Sequence, residues 1–227
     1  MSWKDWVRGA EIEPSIYAAD FARLGDQLTT VMDAGARIFQ FDIGDGHFVE
    51  PVTIGPIVIQ SIAGPVHGRG GVLDCHLMVS NPERHIPQVA KAGGDSVTFH
   101  VEATSDPART AELARGHGLE VGLAFKPETE VEAAVEAALA AGVGVVLCMS
   151  IEPGYSGQEF LPASYERIGR LREQLPEDVF VQVDGGVKLE NAARIRDAGA
   201  ELLVAGSAVF RAGDAAAAYA ELQRAVS

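Results

Sequence analysis

Apolar runs alternate with amphipathic stretches of helical period along the whole chain. The helical stretches repeatedly end at glycine and lead straight into a short apolar run, as in MDAGARIFQFD, AKAGGDSVTFH and IRDAGAELLVAG. Glycine just past a helix supplies the left-handed residue that ends it, and a short continuous apolar run is typical of a buried parallel strand. The pattern predicts eight strands, each followed by a helix, at residues 12–17, 37–42, 72–77, 96–101, 119–125, 144–150, 179–184 and 201–205.

The order of these elements indicates the fold. Eight β-then-α units with no break in composition favour a single (β/α)8 TIM barrel, one domain over residues 1–227. A doubly wound open sheet is the main alternative. Capping residues or prolines precede several predicted helices, for example Asp20, Asn81 and Pro162. Trp3 and Trp6 are spaced for one helical face, and we expect them to cover the bottom of the barrel.

Composition and charge narrow the range of partners. The formal net charge of -14 argues against binding to nucleic acid or to an anionic membrane, because phosphates would be repelled over most of the surface. A small phosphorylated ligand needs only local N–H donors and stays compatible. Cys75 and Cys148 lie in apolar runs and are expected to be buried free thiols. The chain has no apolar targeting segment and no run near the ~18 apolar residues of a membrane span, so we expect a cytoplasmic protein.

Polar side chains recur where the predicted strands end. Barrel enzymes build their sites at the C-terminal ends of the strands and in the loops that follow. These ends carry Ser15, Asp42, His76, His100, Lys126, Met149, Asp184 and Gly206-Ser207. We expect most of them to converge on one mouth of the barrel. His100 is expected to be a hydrogen-bonded core residue and Lys126 part of a rim turn, whereas His67, His85 and His117 are expected at the surface.

Two aspartates are the strongest candidates for chemistry. Asp42 follows the second strand and Asp184 the seventh, so the two carboxylates can face each other across the mouth. Two carboxylates on opposite faces of one carbon could remove a proton from one side and return it to the other. The alternative is that each carboxylate merely caps a loop or helix. With His76 they form a mixed N/O set suited to Zn²⁺, Fe²⁺ or Mn²⁺. Gln40 shares the inward pleat face of Asp42 and would be a weaker fourth ligand.

Three small-residue turns indicate an anion site. They follow the sixth, seventh and eighth predicted strands and span 154–158, 184–186 and 205–210. Backbone N–H groups in such turns, with a short helix N-terminus, can hold a phosphate without lysine or arginine. Met78 and Met149 are expected to form an apolar floor under the ligand. The expected substrate-binding set is Ser15, His76, Met78, Met149, Gly154, Ser156, Gly157, Gln158, Gly185, Gly186, Gly206 and Ser207.

Taken in order, these motifs resemble the ribulose-phosphate 3-epimerase family nearly from end to end. The segments that carry the resemblance are PSIYAADFARLGDQ, FDIGDGHFVEPVTIGP, LDCHLMVSNPERHI, VTFHVEA, CMSIEPGYSGQEF, VQVDGGV and VAGSAVF. The resemblance implies a (β/α)8 barrel and a metal-dependent inversion at C3 that interconverts D-ribulose 5-phosphate and D-xylulose 5-phosphate.

The resemblance also implies a role for each site residue. Asp42 and Asp184 would be the two acid/base residues and would share one divalent ion, Zn²⁺, Fe²⁺, Mn²⁺ or Co²⁺, with His76. The ion would polarise the substrate carbonyl as a Lewis acid. Ser15 would lie near the reacting carbon, the methionines would line the cavity, and the glycine turns with Ser207 would hold the phosphate. Family members are commonly homo-oligomers, and we expect one here.

This chain departs from the family pattern around the expected mouth. Gln40 stands where the family has a histidine ligand, which would lower metal affinity or shift metal preference. Gly44 replaces a methionine and would open space for a longer sugar. Glu50 and Glu152 would disfavour additional negative charge on the substrate. The remaining departures are Tyr17, Pro51 and Ser156.

Two other functions stay open at this stage. One is an isomerase or lyase that uses the same enediolate chemistry on another sugar phosphate. Related decarboxylases carry Asp-x-Lys-x-x-Asp at a strand end, and the segment Asp42-Ile43-Gly44-Asp45 lacks that lysine. The other is a non-catalytic barrel that binds a sugar phosphate, an alternative that the presence of both aspartates disfavours.

Overall fold

The chain forms eight parallel strands, each followed by helical segments. We describe the fold from a computed structural model, which covers residues 2–155 and 157–227. The strands are β1 (Glu11–Pro14), β2 (Ile38–Gly44), β3 (Val72–Met78), β4 (Ser96–His100), β5 (Glu120–Phe125), β6 (Val145–Met149), β7 (Phe180–Asp184) and β8 (Leu202–Ala205). Their order is β1-β8-β7-β6-β5-β4-β3-β2, and a parallel bridge between Ser15 and Gln40 closes the sheet between β1 and β2. The predicted (β/α)8 barrel is confirmed, and the open sheet is excluded.

Helices surround the barrel on its outer face. They are α1 (Trp3–Trp6), α2 (Leu24–Asp33), α3 (Pro56–His67), α4 (Pro82–Ala92), α5 (Pro107–Gly116), α6 (Val131–Ala141), α7 (Ser164–Gln174), α8 (Leu189–Asp197), α9 (Ser207–Phe210) and α10 (Ala215–Val226). Two predicted caps are confirmed, since Asp20 accepts the Ala22 N–H at the turn before α2 and Asn81 accepts the Arg84 N–H at the start of α4. These side chains satisfy N–H groups that the first helical turn leaves unpaired.

The strand ends differ from the predicted ends in a way that shapes the mouth. β2 continues past Asp42 to Gly44, and β3 continues to Met78. β1 instead stops at Pro14, because the chain turns at Ser15 into a short 3₁₀ segment. The longer β2 and β3 carry Asp42 and His76 on regular strand, where sheet hydrogen bonds fix their backbone.

Most of the apolar core lies between the sheet and the helices, while a smaller cluster seals the N-terminal end of the barrel. That cluster joins Trp3, Trp6 and Val7 to the first residues of several strands, including Ile38 and Val72. The two tryptophan rings meet edge to face at 5.0 Å between centroids, a favoured aromatic geometry. The predicted cover of the barrel bottom is confirmed, so access from solvent is at the opposite end.

Two further expectations concern cysteine and membranes. Cys75 and Cys148 are buried free thiols, as predicted. Among the residues that the structure describes, no helix has the length and apolar character needed to cross a bilayer.

Candidate active site

Asp42, His76 and Asp184 converge at the open end of the barrel. One ligand atom from each lies within 4.8 Å of the others. Asp42 and His76 are register partners on β2 and β3, and Asp184 ends β7. His76 Nδ1 is 3.1 Å from Asp42 Oδ1 and 3.5 Å from Asp184 Oδ2. The structure therefore brings together the three residues that the sequence predicted as a metal-binding and acid/base group.

Burial and hydrogen bonding shift the pKa values of His76 and Asp184 within this triad. His76 is fully buried, and burial disfavours its positive charge, but hydrogen bonds to Asp184 and Asp42 outweigh this and raise its pKa to about 9. Burial also raises the pKa of Asp184, and the charge of Asp42 adds to that rise, while His76 opposes it. A carboxyl group whose pKa lies above its ordinary range is suited to both accept and return a proton.

Neighbouring hydroxyl groups hold Asp42 in place. Ser15 Oγ donates to Asp42 Oδ2 at 2.6 Å, within the buried part of the site. Thr53 Oγ1 donates to the Asp42 carbonyl at 2.7 Å and accepts the Gly44 N–H at 2.6 Å. Ser15 therefore touches the carboxylate itself, and Thr53 ties the loop after β2 to the end of the strand.

Gln40 points into the same region but does not complete a strong ligand set. It is fully buried, and its Nε2 lies 3.4 Å from Asp184 Oδ2. Its Oε1 is also buried and has no hydrogen-bond partner among the described residues. Such an unpaired buried oxygen is rare and needs a partner. The ligand atoms of Asp42, His76 and Asp184 already lie close enough together to hold a divalent cation, so this N/O donor set fits a metal ion.

A cavity opens above the two aspartates. Every described member of the expected substrate-binding set except His76 lines it. The other residues that line it are Tyr17, Asp42, Ile151, Tyr155, Asp184, Val187, Lys188 and Val204. His76 is 0% exposed and lies behind the aspartates, which suits a metal ligand better than a substrate contact. Ser156, also predicted to bind substrate, lies outside the described residues.

Sequence reasoning missed Lys188, an exposed residue that lines the cavity. It follows the Asp184-Gly185-Gly186 turn and precedes α8. Its position in a loop after a strand end was the available signal, but the expected phosphate site needed no cation. Tyr155 and Ile151 were missed for a related reason, since aromatic and aliphatic side chains in a loop carry no distinctive pattern.

The glycine turns approach the cavity more closely than other residues could. Gly185 and Gly186 both have left-handed backbone, with φ of 115° and 65°. A Cβ on Gly185 would lie 2.3 Å from Ile151 Cγ1, and one on Gly186 would lie 2.5 Å from Phe160 N. The Gln158 amide donates within its own loop, to the Glu152 and Tyr155 carbonyls, so it orders the rim.

The expectation of open space beside Gly44 is wrong. A Cβ on Gly44 would lie 2.9 Å from Val49 Cγ2 and 3.0 Å from the Pro51 carbonyl oxygen. The loop after β2 therefore occupies the place that a longer side chain would take. Thr53 draws this loop inward through the hydrogen bonds described above. Asp45 folds it further by accepting N–H groups, which outweigh burial and lower the pKa of Asp45 to about 2.

The three histidines expected at the surface, and Lys126, do not line the cavity. His67 pairs with Asp95 at the surface, and His117 is exposed, as expected, whereas His85 is partly buried. Lys126 follows β5 in a turn, and its Nζ lies 4.3 Å above the Phe48 ring.

His100 is the buried core histidine that was expected, but it has an unexpected partner. Its Nε2 is 2.9 Å from His76 Nε2, and its Nδ1 is 3.1 Å from Glu102 Oε2. Burial lowers the pKa of His100 to about 4 despite the hydrogen bond to Glu102, so the ring is neutral near pH 7.

Comparison with known proteins decides the family. The model of the Ribulose-phosphate 3 epimerase family matches residues 11–210. The chain belongs to this family. As a family member it is 39% identical over 202 residues to ribulose-phosphate 3-epimerase of Serratia marcescens, covering 88% of this chain and 94% of that one. It is 40% identical over 202 residues to the enzyme of the same name from Escherichia coli K12, covering 88% of each. The predicted family and its isomerase class are confirmed.

Solved structures of other enzymes share the epimerase-family barrel. Orotidine 5'-phosphate decarboxylase from Pyrococcus horikoshii aligns with a TM-score of 0.71 at 16% identity, covering 95% of this chain and 98% of that one. Tryptophan synthase of Mycobacterium tuberculosis aligns with a TM-score of 0.73 at 18% identity, covering 98% of this chain and 95% of that one. At these identities the likeness concerns the fold alone.

Proposed function

We propose that this protein is a metal-dependent epimerase that inverts C3 of a ketose phosphate and interconverts D-ribulose 5-phosphate and D-xylulose 5-phosphate. The observation that carries the proposal is the convergence of Asp42, Asp184 and His76 below a single cavity. Family membership supports the reaction class. The filled space beside Gly44 supports a pentose rather than a longer sugar.

Asp42 and Asp184 are assigned to proton transfer at C3. Both line the cavity, and they come from β2 and β7, so their carboxylates approach a bound sugar from two directions. One takes the C3 proton to give an enediolate, and the other returns a proton to the opposite face. Ser15 fixes one oxygen of Asp42, which leaves the other free to face the reacting carbon or His76.

Asp42, His76 and Asp184 would hold one divalent ion, with Gln40 as a weak fourth ligand. Zn²⁺, Fe²⁺, Mn²⁺ and Co²⁺ all suit this donor set. Such an ion supplies positive charge that stabilises the oxyanion character that develops at the substrate carbonyl. Because Gln40 is neutral, we expect weaker ion binding than a second imidazole would give.

The phosphate group is assigned to the end of the cavity formed by the three glycine turns. Gly185, Gly186, Gly206 and Ser207 all line this region, and their backbone N–H groups are the proposed donors. Lys188 adds a positive charge there, which strengthens binding of a dianion in an otherwise acidic protein.

We also propose that the protein is a homo-oligomer and that it is cytoplasmic. Light scattering in solution tests the oligomeric state.

A conversion assay tests the proposed reaction. Purified protein is stripped with a chelator, reloaded separately with Zn²⁺, Fe²⁺, Mn²⁺ and Co²⁺, and incubated with a panel of ketose phosphates under NMR observation. We expect interconversion of the two pentulose phosphates, loss on chelation and recovery with at least one ion. Asp26→Asn, on the exposed face of α2, is a control that should leave the rate unchanged. Binding of sugar phosphates without conversion by any loaded form would instead support the non-catalytic barrel.

A further inference from the structure

A line of hydrogen-bonding groups leads from the metal-binding triad through two buried imidazole rings to the segment after β4. It runs from His76 through His100 to Glu102, with contacts of 2.9 Å between the two Nε2 atoms and 3.1 Å from His100 Nδ1 to Glu102 Oε2. Both imidazole rings are 0% exposed. Neither His100 nor Glu102 lines the cavity or touches a position where substrate would bind.

Glu102 is locked in one orientation at the outer end of this line. Its Oε1 accepts the Lys126 backbone N–H at 2.8 Å and also the Thr129 hydroxyl. Its Oε2 is thereby left for His100. Burial opposes the charge, but hydrogen bonds from His100, Lys126 and Thr129 outweigh it and lower the pKa of Glu102 to about 2. Glu102 is therefore a carboxylate near pH 7 and can only accept hydrogen bonds.

The orientation of Glu102 determines the proton positions on both rings. Because Glu102 only accepts, His100 carries its proton on Nδ1, and its Nε2 is a bare acceptor in the neutral ring. The short contact between the two Nε2 atoms needs one proton, which His76 must then supply. His76 consequently keeps a proton on Nε2 in every state, and its Nδ1 is the nitrogen that faces Asp42 and Asp184.

We propose that His100 and Glu102 are positioning residues that keep a proton on His76 Nε2, so that Nδ1, the nitrogen facing Asp42 and Asp184, is the one that gives up its proton when an ion binds. This inference rests on the proposed metal site, since an imidazole nitrogen binds a metal only through a free lone pair. Without an acceptor at His100 Nε2, a neutral His76 would place its proton on Nδ1 and hydrogen-bond to Asp42 instead. The line thus extends the site beyond the residues that contact an ion.

Glu102→Gln is the most informative substitution because the structure dictates how the new amide must lie. The Lys126 backbone N–H is fixed and needs an acceptor, so the amide oxygen takes the place of Oε1. The NH₂ group then faces His100 Nδ1 and forces that nitrogen to accept. His100 would then carry its proton on Nε2 and point it at His76 Nε2. Because only one proton fits between these two nitrogens, His76 would carry its own proton on Nδ1.

Metal binding gives the first measurement. Titration of stripped protein with Zn²⁺ or Co²⁺ should show roughly 10–100-fold weaker binding for Glu102→Gln, the usual effect of losing a partner behind a ligating histidine. His100→Leu should weaken binding similarly, whereas His100→Gln, whose amide oxygen can accept from His76, should recover part of the affinity. Glu83→Gln is the matched control, because Glu83 Oε1 likewise accepts two hydrogen bonds, from the Thr104 and Thr110 hydroxyls, and Glu83 hydrogen-bonds to no histidine among the described residues.

Ring-nitrogen NMR gives a second measurement that does not depend on catalysis. In ¹⁵N-labelled wild-type protein loaded with Zn²⁺, we expect protons on His76 Nε2 and His100 Nδ1. In Glu102→Gln we expect the His100 proton on Nε2. Wild-type protein that binds no divalent ion would overturn the proposed metal site itself. If the wild type binds the ion, and both Glu102→Gln and His100→Leu bind it with the same affinity and the same proton position on His76, only this inference is overturned.

Discussion

Two pairs of acidic side chains face the inside of this barrel, and their surroundings differ sharply. The upper pair, Asp42 and Asp184, lines the cavity and contacts His76. The lower pair, Glu13 and Asp74, is sealed, with exposures of 0% and 1%. Gln182 Nε2 lies between its members, donating to Glu13 at 2.6 Å and to Asp74 at 2.9 Å.

The comparison shows that surroundings, rather than residue type, separate the chemical pair from the structural one. Burial raises the pKa of Glu13 well above its ordinary range, and the nearby charge of Asp74 raises it further. Among the described residues, the side chains that donate to Asp74 are the uncharged Ser96, Thr98 and Gln182. The upper pair has a histidine that can carry positive charge and an opening for substrate. Among the described residues, the lower pair hydrogen-bonds to no histidine and does not line the cavity, so we assign it to the interior packing of the barrel.

The largest expected effect is on catalysis at the upper pair. Asp42→Asn keeps the size of the side chain but removes its capacity to take a proton. We expect kcat to fall about 10²–10⁴-fold, the usual contribution of general acid–base catalysis. Steady-state kinetics on the pentulose phosphates measures it. A loss smaller than tenfold would mean that Asp42 is not one of the two acid/base residues.

A stability effect should follow from adding a side chain at the end of β2. Gly44→Ala would push against Val49 and the Pro51 carbonyl, and overpacking of this kind costs about 1–3 kcal/mol. Urea unfolding measures the change in the free energy of unfolding. The matched control is Gly25→Ala in α2, where no described atom lies within 4 Å of the new Cβ and a small gain in stability is expected. Equal changes in the free energy of unfolding for Gly44→Ala and Gly25→Ala would show that the loop after β2 moves to make room for the new methyl group at little cost.

Gln40→His should increase the affinity of the upper site for a divalent ion. An imidazole is a better ligand for zinc-like ions than a neutral amide oxygen, so we expect about tenfold tighter ion binding, roughly 1.4 kcal/mol. Titration of stripped protein with Zn²⁺ or Co²⁺ measures the affinity. Unchanged affinity would show that residue 40 does not face the ion.

The smallest effect is expected at the lower pair. Glu13→Gln should leave kcat within a fewfold of wild type, because a protonated glutamic acid and a glutamine are both neutral. The raised pKa of Glu13 stabilises the fold below the unfolded value of 4.5, and that contribution is lost as pH rises toward the folded pKa. Wild-type stability should therefore fall with pH above 4.5 more steeply than that of Glu13→Gln, by up to about 1.4 kcal/mol per pH unit.

Urea unfolding between pH 5 and 8, over roughly the range where most proteins are stable, compares the two slopes. Parallel pH dependences would show that Glu13 is ionised in the folded protein. A large loss of activity in Glu13→Gln would remove the distinction between the two pairs.

The barrel and the triad could be predicted because their signals are local. Glycine after each helix and polar residues at strand ends repeat along the chain, and parallel strands bring those ends together. Gln40 and Asp42 could be assigned to one face because strand side chains alternate with a period of two. The burial of Glu13 was not predicted, because nothing in the sequence around it distinguishes it from residues of the mouth.

The features that could not be predicted depend on contacts between distant segments. The filling of the space beside Gly44 requires Thr53 to pull its loop inward, and no pattern in the loop encodes that distance. The contact between His76 and His100 joins adjacent strands, but its proton positions depend on Glu102 and the Lys126 backbone. Lys188 lines the cavity from its position just before α8, next to a turn that the sequence pattern assigned to backbone donors alone.

The central claim is that Asp184 and Asp42 exchange protons with C3 of the substrate from two sides. The most direct measurement follows deuterium incorporation at C3 of D-ribulose 5-phosphate in D₂O by NMR, with metal-loaded wild-type protein and with Asp184→Asn. The account predicts deuterium at C3 of the D-xylulose 5-phosphate that the wild type forms and no such incorporation above background by the variant, because inversion needs both carboxylates. Incorporation by Asp184→Asn at the wild-type rate would contradict the assignment of the upper pair to proton transfer.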